Sequence, residues 1–354
     1  MLALILLLSL APAWAQDKEW NQTLAAGKRE GKVVVAGAPD PVMRNEIIPR
    51  FMSRFGIPVE FLAGRSSQMA ARVRSERLAG VYTVDLFMSG ISPAISLYSE
   101  KMLDALKPIL FLPEVIDPSR WKNGKLWFVD PEERYVLRLF SSVASFLHIN
   151  TEYVKPDEIR SAKDLLNPKW RGKISTEDPT DSGNGQNQAV RFYLQLGEEF
   201  VKKLYIDQKL GITRERRQLA DWLARGTYPI CLSCREDDVT ALRREGFKIL
   251  EVFELSDVAG TIGSSPWLLT LMNKAPHPNA ARVFAHWIIS REGLDIYSRG
   301  HRAATLRNDV DESFLRPESI PRAGVKYFDT SDWQWRVTGR METEERVRKL
   351  VKSR

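Results

Sequence analysis

The chain has 354 residues, of which 44% are hydrophobic and 27% are charged. This balance is typical of a folded globular protein and excludes both a wholly disordered chain and a polytopic membrane protein. The length is sufficient for about two domains. Lys and Arg number 52 against 45 Asp and Glu, so the net charge is +7. Two cysteines exclude a disulfide-dense scaffold, and four histidines argue against a multi-histidine metal centre.

The first 15 residues form an apolar segment without a charged side chain. The segment is shorter than the ~20 residues of a membrane-spanning helix, and Ala13-Trp14-Ala15 has the small-x-small pattern of a signal-peptidase site. We therefore predict an exported protein with a signal peptide at 1–15. A buried amino-terminal helix and a short membrane anchor are the alternatives. Because no cysteine follows the segment directly, we do not predict a lipid anchor.

The residues after this segment alternate between helical and strand patterns. We predict three strands and three helices, with strands over 32–36, 57–63 and 84–88 and helices over 17–30, 41–55 and 66–78. This alternation is typical of a parallel sheet with helices on both faces. Ligands of such sheets bind beyond the carboxyl ends of the strands. Those ends fall at Gly37–Asp40, Gly64–Ser67 and Ser89–Ile91.

The pattern changes at a proline-containing segment, 102–121, which we interpret as a connection. Two β-rich stretches follow, at 125–129 and 135–149, and a second series of helices and strands runs over 156–253. A further strand and two helices are predicted after residue 266. Two such series joined by long strands predict an α/β fold with two lobes.

We predict that each lobe is a mixed sheet flanked by helices and that crossover hinge strands join the lobes. Residues 16–145 and 264–354 are assigned to lobe 1, and residues 146–263 to lobe 2. A cleft between lobes is where small ligands usually bind. No role is predicted for the segment 306–354.

Three parts of the sequence carry a resemblance to a known family. They are Asn167–Ile174 with Asp178-Pro179 and Ser182-Gly183, Ser67–Gly80 with Asp85, and Lys274–Ala281 with Trp287–Tyr297. Over about residues 17–305 the chain resembles bacterial extracellular solute-binding proteins of ABC importers, in the group that includes the ferric-iron-type members. The resemblance implies a type II periplasmic-binding-protein fold, a periplasmic location and an ABC permease as partner. It also implies capture of a ligand by closure of two lobes.

One departure from the family bears on the ligand. Ferric-binding members carry an adjacent tyrosine pair after the strand that corresponds to 229–232, whereas this chain has Ser233-Cys234-Arg235-Glu236. None of its nine tyrosines neighbours another. We therefore predict an anionic organic solute, either a carboxylate or a phosphorylated or phosphonate compound, with tyrosine-coordinated ferric ion as the alternative.

The candidate ligand-binding residues lie at strand ends and helix starts. Free N–H groups and the positive dipole end of a helix attract an oxyanion, and a guanidinium binds one in a bidentate manner. Ordinary helix capping without a ligand is the alternative for each loop. We predict that the ligand contacts Arg65, Ser66, Ser67, Ser89, Thr180, Asp181, Ser182, Gly183 and Arg235.

Cys231 and Cys234 form a C-x-x-C motif. A zinc site needs two more ligands at suitable spacing, and a redox role needs a thioredoxin-like helix start. Residues three apart in a strand face opposite ways, so a disulfide requires the strand to end by Ser233. A disulfide between them and two free structural cysteines both remain open.

We predict no enzyme, no catalytic residue, no metal site and no cofactor. The sequence has no nucleophile motif with an adjacent base, and His148 and His286 are interpreted as packing residues. An exported enzyme or a sensor subunit on the same scaffold is the alternative. We predict a monomer that does not bind nucleic acid.

Overall fold

The computed structural model describes residues 13–181, 183–263 and 267–352. The predicted signal peptide lies mostly outside these residues, and the first helix begins at Ala13. The strands, in chain order, are β1 (Val33–Gly37), β2 (Val59–Ala63), β3 (Leu86–Ser89), β4 (Leu103–Asp104), β5 (Val136–Arg138), β6 (Ser142–Ala144), β7 (Leu147–Asn150), β8 (Ile174–Glu177), β9 (Gly211–Thr213), β10 (Ile230–Cys231), β11 (Ile249–Val252), β12 (Thr261–Gly263), β13 (Leu268–Met272) and β14 (Phe328–Asp329).

The α-helices are α1 (Ala13–Glu30), α2 (Ile48–Phe55), α3 (Ser66–Leu78), α4 (Ile91–Ser99), α5 (Pro113–Ile116), α6 (Asn184–Lys202), α7 (Arg216–Ala224), α8 (Glu236–Arg244), α9 (Pro278–Ile288), α10 (Arg291–His301) and α11 (Arg340–Lys352). Short π-helical segments adjoin α2, α6 and α11, at Met43–Ile47, Lys203–Asp207 and Trp335–Gly339. Within the described ranges, none of the helices has the length and apolar character needed to cross a bilayer.

The chain packs into two compact units. Unit 1 contains the described residues up to Ser141 and those between Ser264 and Leu315. Unit 2 contains those between Ser142 and Gly263 and those from Arg316 onwards. The backbone therefore passes from one unit to the other three times.

Unit 1 is built on a six-stranded mixed sheet with the order β2-β1-β3-β13-β4, in which β5 also pairs with β13. The run Val33-Val34-Val35 is buried on both faces, as is usual for a parallel central strand. β1 pairs in parallel with β2 and β3, and Gly37 lies opposite Ala63 and Met88. The carboxyl ends of β1, β2 and β3 therefore meet. We call the residues that follow these three strands edge 1.

Unit 2 contains a five-stranded sheet with the order β11-β7-β10-β8-β9 and a small sheet with the order β14-β12-β6. β8 pairs in parallel with β9 and β10, whereas β7 runs antiparallel to β10 and β11. The carboxyl ends of β8, β9 and β10 therefore point the same way. We call the residues that follow these three strands edge 2.

The segment after residue 315 packs with unit 2, whereas the sequence analysis assigned all of 264–354 to lobe 1. The reason is apolar packing: Val347 and Val351 of α11 are buried in the core of unit 2, where α11 contacts α6. β14 also pairs with β12 of the same unit. The chain thus returns to unit 2 to complete it.

Candidate functional site

Two helices begin at edge 1 without a capping side chain. α3 begins after Arg65, whose side chain binds no backbone N–H of the helix, and α4 begins after Gly90, which has no side chain. The first N–H groups of a helix have no partner within the helix and carry a positive partial charge. Because β1 lies between β2 and β3, these two helix starts flank the end of β1. Edge 1 can therefore bind an anion.

The structure brings four of the predicted residues to edge 1. Arg65 and Ser67 are exposed, and Ser66 is half-buried at the start of α3. Ser89 is fully buried, and its hydroxyl donates to the carbonyl oxygen of Gly90 at 3.0 Å. The exposed Arg65 is thus better placed than Ser89 to contact a solute.

A buried carboxylate fixes the loop after β1. Asp40 accepts hydrogen bonds from the N–H groups of Val42 and Met43 and, at 2.6 Å, from the hydroxyl of Tyr297. His301 Nε2 lies 3.0 Å from the same carboxylate oxygen as Tyr297. Burial alone would raise the pKa of Asp40, but the bonds to His301 and Tyr297 outweigh it and lower the pKa. Sequence reasoning missed this cluster because Asp40 and its partners in α10 are distant in sequence.

At edge 2 the start of α6 is already occupied by a carboxylate of the chain. Glu177 Oε2 accepts hydrogen bonds from the N–H groups of Asn184 at 2.9 Å and Gly185 at 3.3 Å. A Cβ atom on Gly185 would lie 2.2 Å from the carbonyl oxygen of Glu177, so glycine is required for this close approach. The sequence predicts free N–H groups at this helix start, but Glu177, which it does not indicate, binds two of them.

The loop after β8 is held by an arginine that the sequence analysis did not name. Asp178 Oδ1 accepts from the N–H and the hydroxyl of Thr180, at 2.9 and 2.7 Å. Arg214 Nε lies 3.1 Å from Asp178 Oδ2 and 2.8 Å from Asp181 Oδ2. Burial acts to raise the pKa of Asp178, but Thr180 and Arg214 outweigh it and lower the pKa. Thr180 and Asp181 are therefore engaged within the loop.

Three further predicted residues belong to edge 2. Gly183 is the N-cap residue of α6, and Ser182 lies outside the described residues. Arg235 is exposed and is the N-cap residue of α8. Since β8 and β10 are neighbours, the loops that carry Thr180 and Arg235 belong to the same edge.

The loop after β10 is closed by a disulfide bond between Cys231 and Cys234. Ser233, between them, accepts a hydrogen bond from the N–H of Glu177 at 2.6 Å. Its hydroxyl also lies 3.2 Å from that of Thr176. Ser233 thus joins the ends of β8 and β10, and it occupies the region where the sequence analysis looked for a tyrosine pair.

Residues 134–301 match the family model of the bacterial extracellular solute-binding protein. This match covers just under half of the chain, and over these residues it confirms the resemblance to extracellular solute-binding proteins that the sequence predicts.

Several known proteins are similar to this chain, in sequence or in structure, over most of its length. An uncharacterized protein of Haemophilus influenzae is 22% identical over 303 residues, which are 80% of each chain. Iron-bound HitA from Pseudomonas aeruginosa is 16% identical, with a TM-score of 0.63 over 89% of this chain and 99% of that chain. AfuA from Actinobacillus pleuropneumoniae, with exogenous fructose-6-phosphate bound, is 17% identical, with a TM-score of 0.59 over 90% and 97%. These structural similarities confirm the predicted type II periplasmic-binding-protein fold.

Proposed function

We propose that this chain is the solute-binding component of an ABC importer and that its solute is a small organic anion. The importer assignment is supported by the solute-binding domain and its homologues. The anion is supported by one observation at edge 1, where two uncapped helix starts flank β1 beside the exposed Arg65. The solute carries a carboxylate, phosphate or phosphonate group.

The groups at edge 1 can supply a substantial part of the binding free energy. A hydrogen bond to a charged group contributes about 1.5–3 kcal/mol, and a helix start contributes about 0.3–1 kcal/mol to a nearby anion. A micromolar Kd corresponds to about −8 kcal/mol. The remainder comes from burial of the solute and from further polar contacts. Ser66, Ser67 and Ser89 are the proposed contacts at this edge.

Edge 2 has a different role in this proposal. Glu177 occupies the start of α6, so we propose that Thr180, Asp181 and Gly183 recognise uncharged polar groups of the solute. Arg235 is exposed at the start of α8 and is the proposed cationic contact of this edge.

Ferric ion is the second candidate cargo. The HitA structure contains iron and the AfuA structure contains fructose-6-phosphate, so metal and phosphorylated cargo both occur on this fold. This chain has no adjacent tyrosine pair, which favours the anion.

We propose that the protein works in the periplasm as a monomer, after removal of residues 1–15, with an ABC permease as its partner.

The proposal is tested by calorimetry and thermal unfolding of the purified chain without residues 1–15. The candidate ligands are inorganic phosphate, sugar phosphates, phosphonates, di- and tricarboxylates, and ferric salts. We expect one anion class to stabilise the protein, by about 2.7 kcal/mol at a concentration of 100 Kd. If no anion binds and Fe(III) binds tightly, the anion proposal is wrong.

The arginine at edge 1 gives a sharper test. We expect Arg65→Ala to weaken binding of the anion about tenfold or more, because a charge-assisted hydrogen bond is lost. Arg72→Ala is the matched control, since Arg72 lies in α3, the helix that Arg65 precedes, and pairs with Glu76. Equal affinities of the two variants would remove Arg65 from the proposed site.

A further inference from the structure

Three metal-ligating side chains meet within unit 2. His148 belongs to β7, Glu251 to β11, and Glu236 is the first residue of α8. Glu251 lies directly opposite His148 in the antiparallel pair of strands, so both side chains are on the same face of the sheet. One donor atom from each of the three residues lies within 4.8 Å of the other two.

The imidazole of His148 is directed at both carboxylates but bonds to neither. The residue is only 3% exposed, and neither ring nitrogen has a hydrogen-bond partner. Nε2 lies 3.7 Å from Glu251 Oε1 and 4.0 Å from Glu236 Oε2, which is too long for a hydrogen bond. Around a zinc ion with bonds of about 2.0–2.2 Å, tetrahedral ligand atoms lie about 3.3–3.5 Å apart. The two distances from His148 would have to shorten by about 0.2–0.7 Å, and the separation of the two carboxylate oxygens, which is at most 4.8 Å, by up to about 1.5 Å, to produce a coordination site.

Arginine side chains hold the other oxygens of the two carboxylates. Glu251 Oε2 pairs with Arg316 and lies 3.3 Å from Arg243 Nη2. Glu236 Oε1 lies 3.3 Å from Arg243 Nη1 and accepts a hydrogen bond from the hydroxyl of Thr240 at 2.9 Å. Each carboxylate thus directs its second oxygen toward His148. Orientation of a ligand by a second hydrogen bond is typical of metal sites.

The charges of this cluster restrict the kind of ion that it can bind. Arg243 and Arg316 balance the two carboxylates, so attraction by net charge is weak. An ion that forms strong bonds to imidazole nitrogen is favoured over the hard cations Mg²⁺ and Ca²⁺, which prefer sites made of oxygen ligands. Cys231 lies opposite His148 on the other neighbouring strand but is held in the disulfide, so no thiolate competes.

An ion can reach this cluster from solvent. The side chain of Glu236 is 56% exposed. Glu251 and Arg316 also line a cavity of about 690 Å³ within unit 2.

We propose that His148, Glu236 and Glu251 bind one divalent transition-metal ion, with Zn²⁺ the best match to these ligands, and that water takes the fourth position. The ion links α8 to β7 and β11 and stabilises unit 2. The site contains none of the residues of edge 1, although Glu236 directly follows Arg235, the proposed cationic solute contact of edge 2.

The test uses the full mature chain after treatment with a chelator. Zn²⁺ binding is measured by calorimetry, and Co²⁺ binding by the visible ligand-field bands of a four-coordinate ion. We expect one ion per chain and a higher melting temperature with Zn²⁺. Glu236→Gln should weaken Zn²⁺ binding at least tenfold. Because Glu236 is exposed, we expect this variant to fold normally, so that weaker binding reflects the loss of a ligand. Glu245→Gln, an exposed carboxylate at the other end of α8, is the matched control.

Two further variants make the outcome decisive. Arg65→Ala should retain Zn²⁺ binding, which separates this site from the solute site. His148→Asn should abolish the Co²⁺ bands, with circular dichroism as the check of folding; if this variant does not fold, Glu236→Gln decides. The proposal is overturned if the wild-type protein binds neither ion at submillimolar concentration, or if Glu236→Gln binds Zn²⁺ as well as the wild type. His148 would then be part of a buried ion-pair cluster.

Discussion

Edge 1 and edge 2 lie at corresponding ends of their sheets, but α6, the helix that follows β8 at edge 2, begins differently from the helices of edge 1. At edge 1 no N-cap side chain binds the first N–H groups of α3 or α4: that of Arg65 makes no such hydrogen bond, and Gly90 has no side chain. At edge 2 the carboxylate of Glu177 binds two N–H groups at the start of α6. An internal carboxylate uses the donors that an anionic solute would use. The fold thus indicates where a ligand can bind, and a single side chain decides whether the start of α6 is open to an anion.

The largest expected difference between the edges is in the free energy of unfolding lost when one glycine at each edge is replaced by alanine. A Cβ atom on Gly185 would lie 2.2 Å from the backbone oxygen of Glu177, whereas one on Gly64 would lie 2.8 Å from the flexible Met69 Sδ. We expect Gly185→Ala to lower the free energy of unfolding by about 2–4 kcal/mol and Gly64→Ala by less than about 1 kcal/mol. Urea unfolding of both variants measures this. Equal losses would show that the two edges are packed equally tightly.

Removal of the internal carboxylate is expected to have a smaller effect. Glu177→Ala leaves the N–H groups of Asn184 and Gly185 without a side-chain acceptor and should lower the free energy of unfolding by about 1 kcal/mol. Inorganic phosphate should then stabilise the variant more than it stabilises the wild type. Glu198→Ala is the matched control, since Glu198 is exposed later in α6. An unchanged response to phosphate would contradict our explanation of the difference between the edges.

The smallest effect is expected from the pH dependence of the loop at edge 1. The pKa of Asp40 is lowered in the folded protein, so its contribution to stability is present above the unfolded pKa of about 3.9 and is lost as the pH falls through the folded pKa. Asp40→Asn should be less stable than the wild type at neutral pH and lose less stability below about pH 4. One proton changes the slope by at most about 1.4 kcal/mol per pH unit.

For Asp40→Asn and the wild type, denaturant unfolding is measured from about pH 2.5 to about pH 7. This range includes the pH interval in which carboxylates titrate. Asp17→Asn provides the control, because Asp17 is exposed in α1. If the acid dependence of Asp40→Asn equals that of the wild type, the loop after β1 does not depend on this carboxylate.

Local patterns in the sequence predicted most of unit 1. The predicted strands at 32–36, 57–63 and 84–88 are confirmed as β1, β2 and β3 within two residues, because β-branched runs bounded by glycine are strong local signals. The predicted β stretch at 125–129 is wrong as a strand. It forms only an isolated bridge between Phe128 and Leu137, since β5 is three residues long and pairs with β13 instead.

The site was predictable only where it depends on topology. Arg65 and Ser89 could be expected at one edge because parallel strands end together. The cap by Glu177 follows no known local motif, since Glu177 precedes α6 by seven residues rather than occupying the N-cap or N3 position. His148 was interpreted as a packing residue. Its position opposite Glu251 depends on the register between β7 and β11, which cannot be derived from the sequence alone.

The return of the chain to both units has a consequence for synthesis. The sheet of unit 1 needs β13 between β3 and β5, and the core of unit 2 needs Val347 and Val351. A ribosome makes these segments after most of each unit, so both cores remain incomplete until late in translation. Contacts between residues distant in sequence also slow folding. Neither unit can complete its core until these late segments have been made, which is compatible with the proposed export before folding.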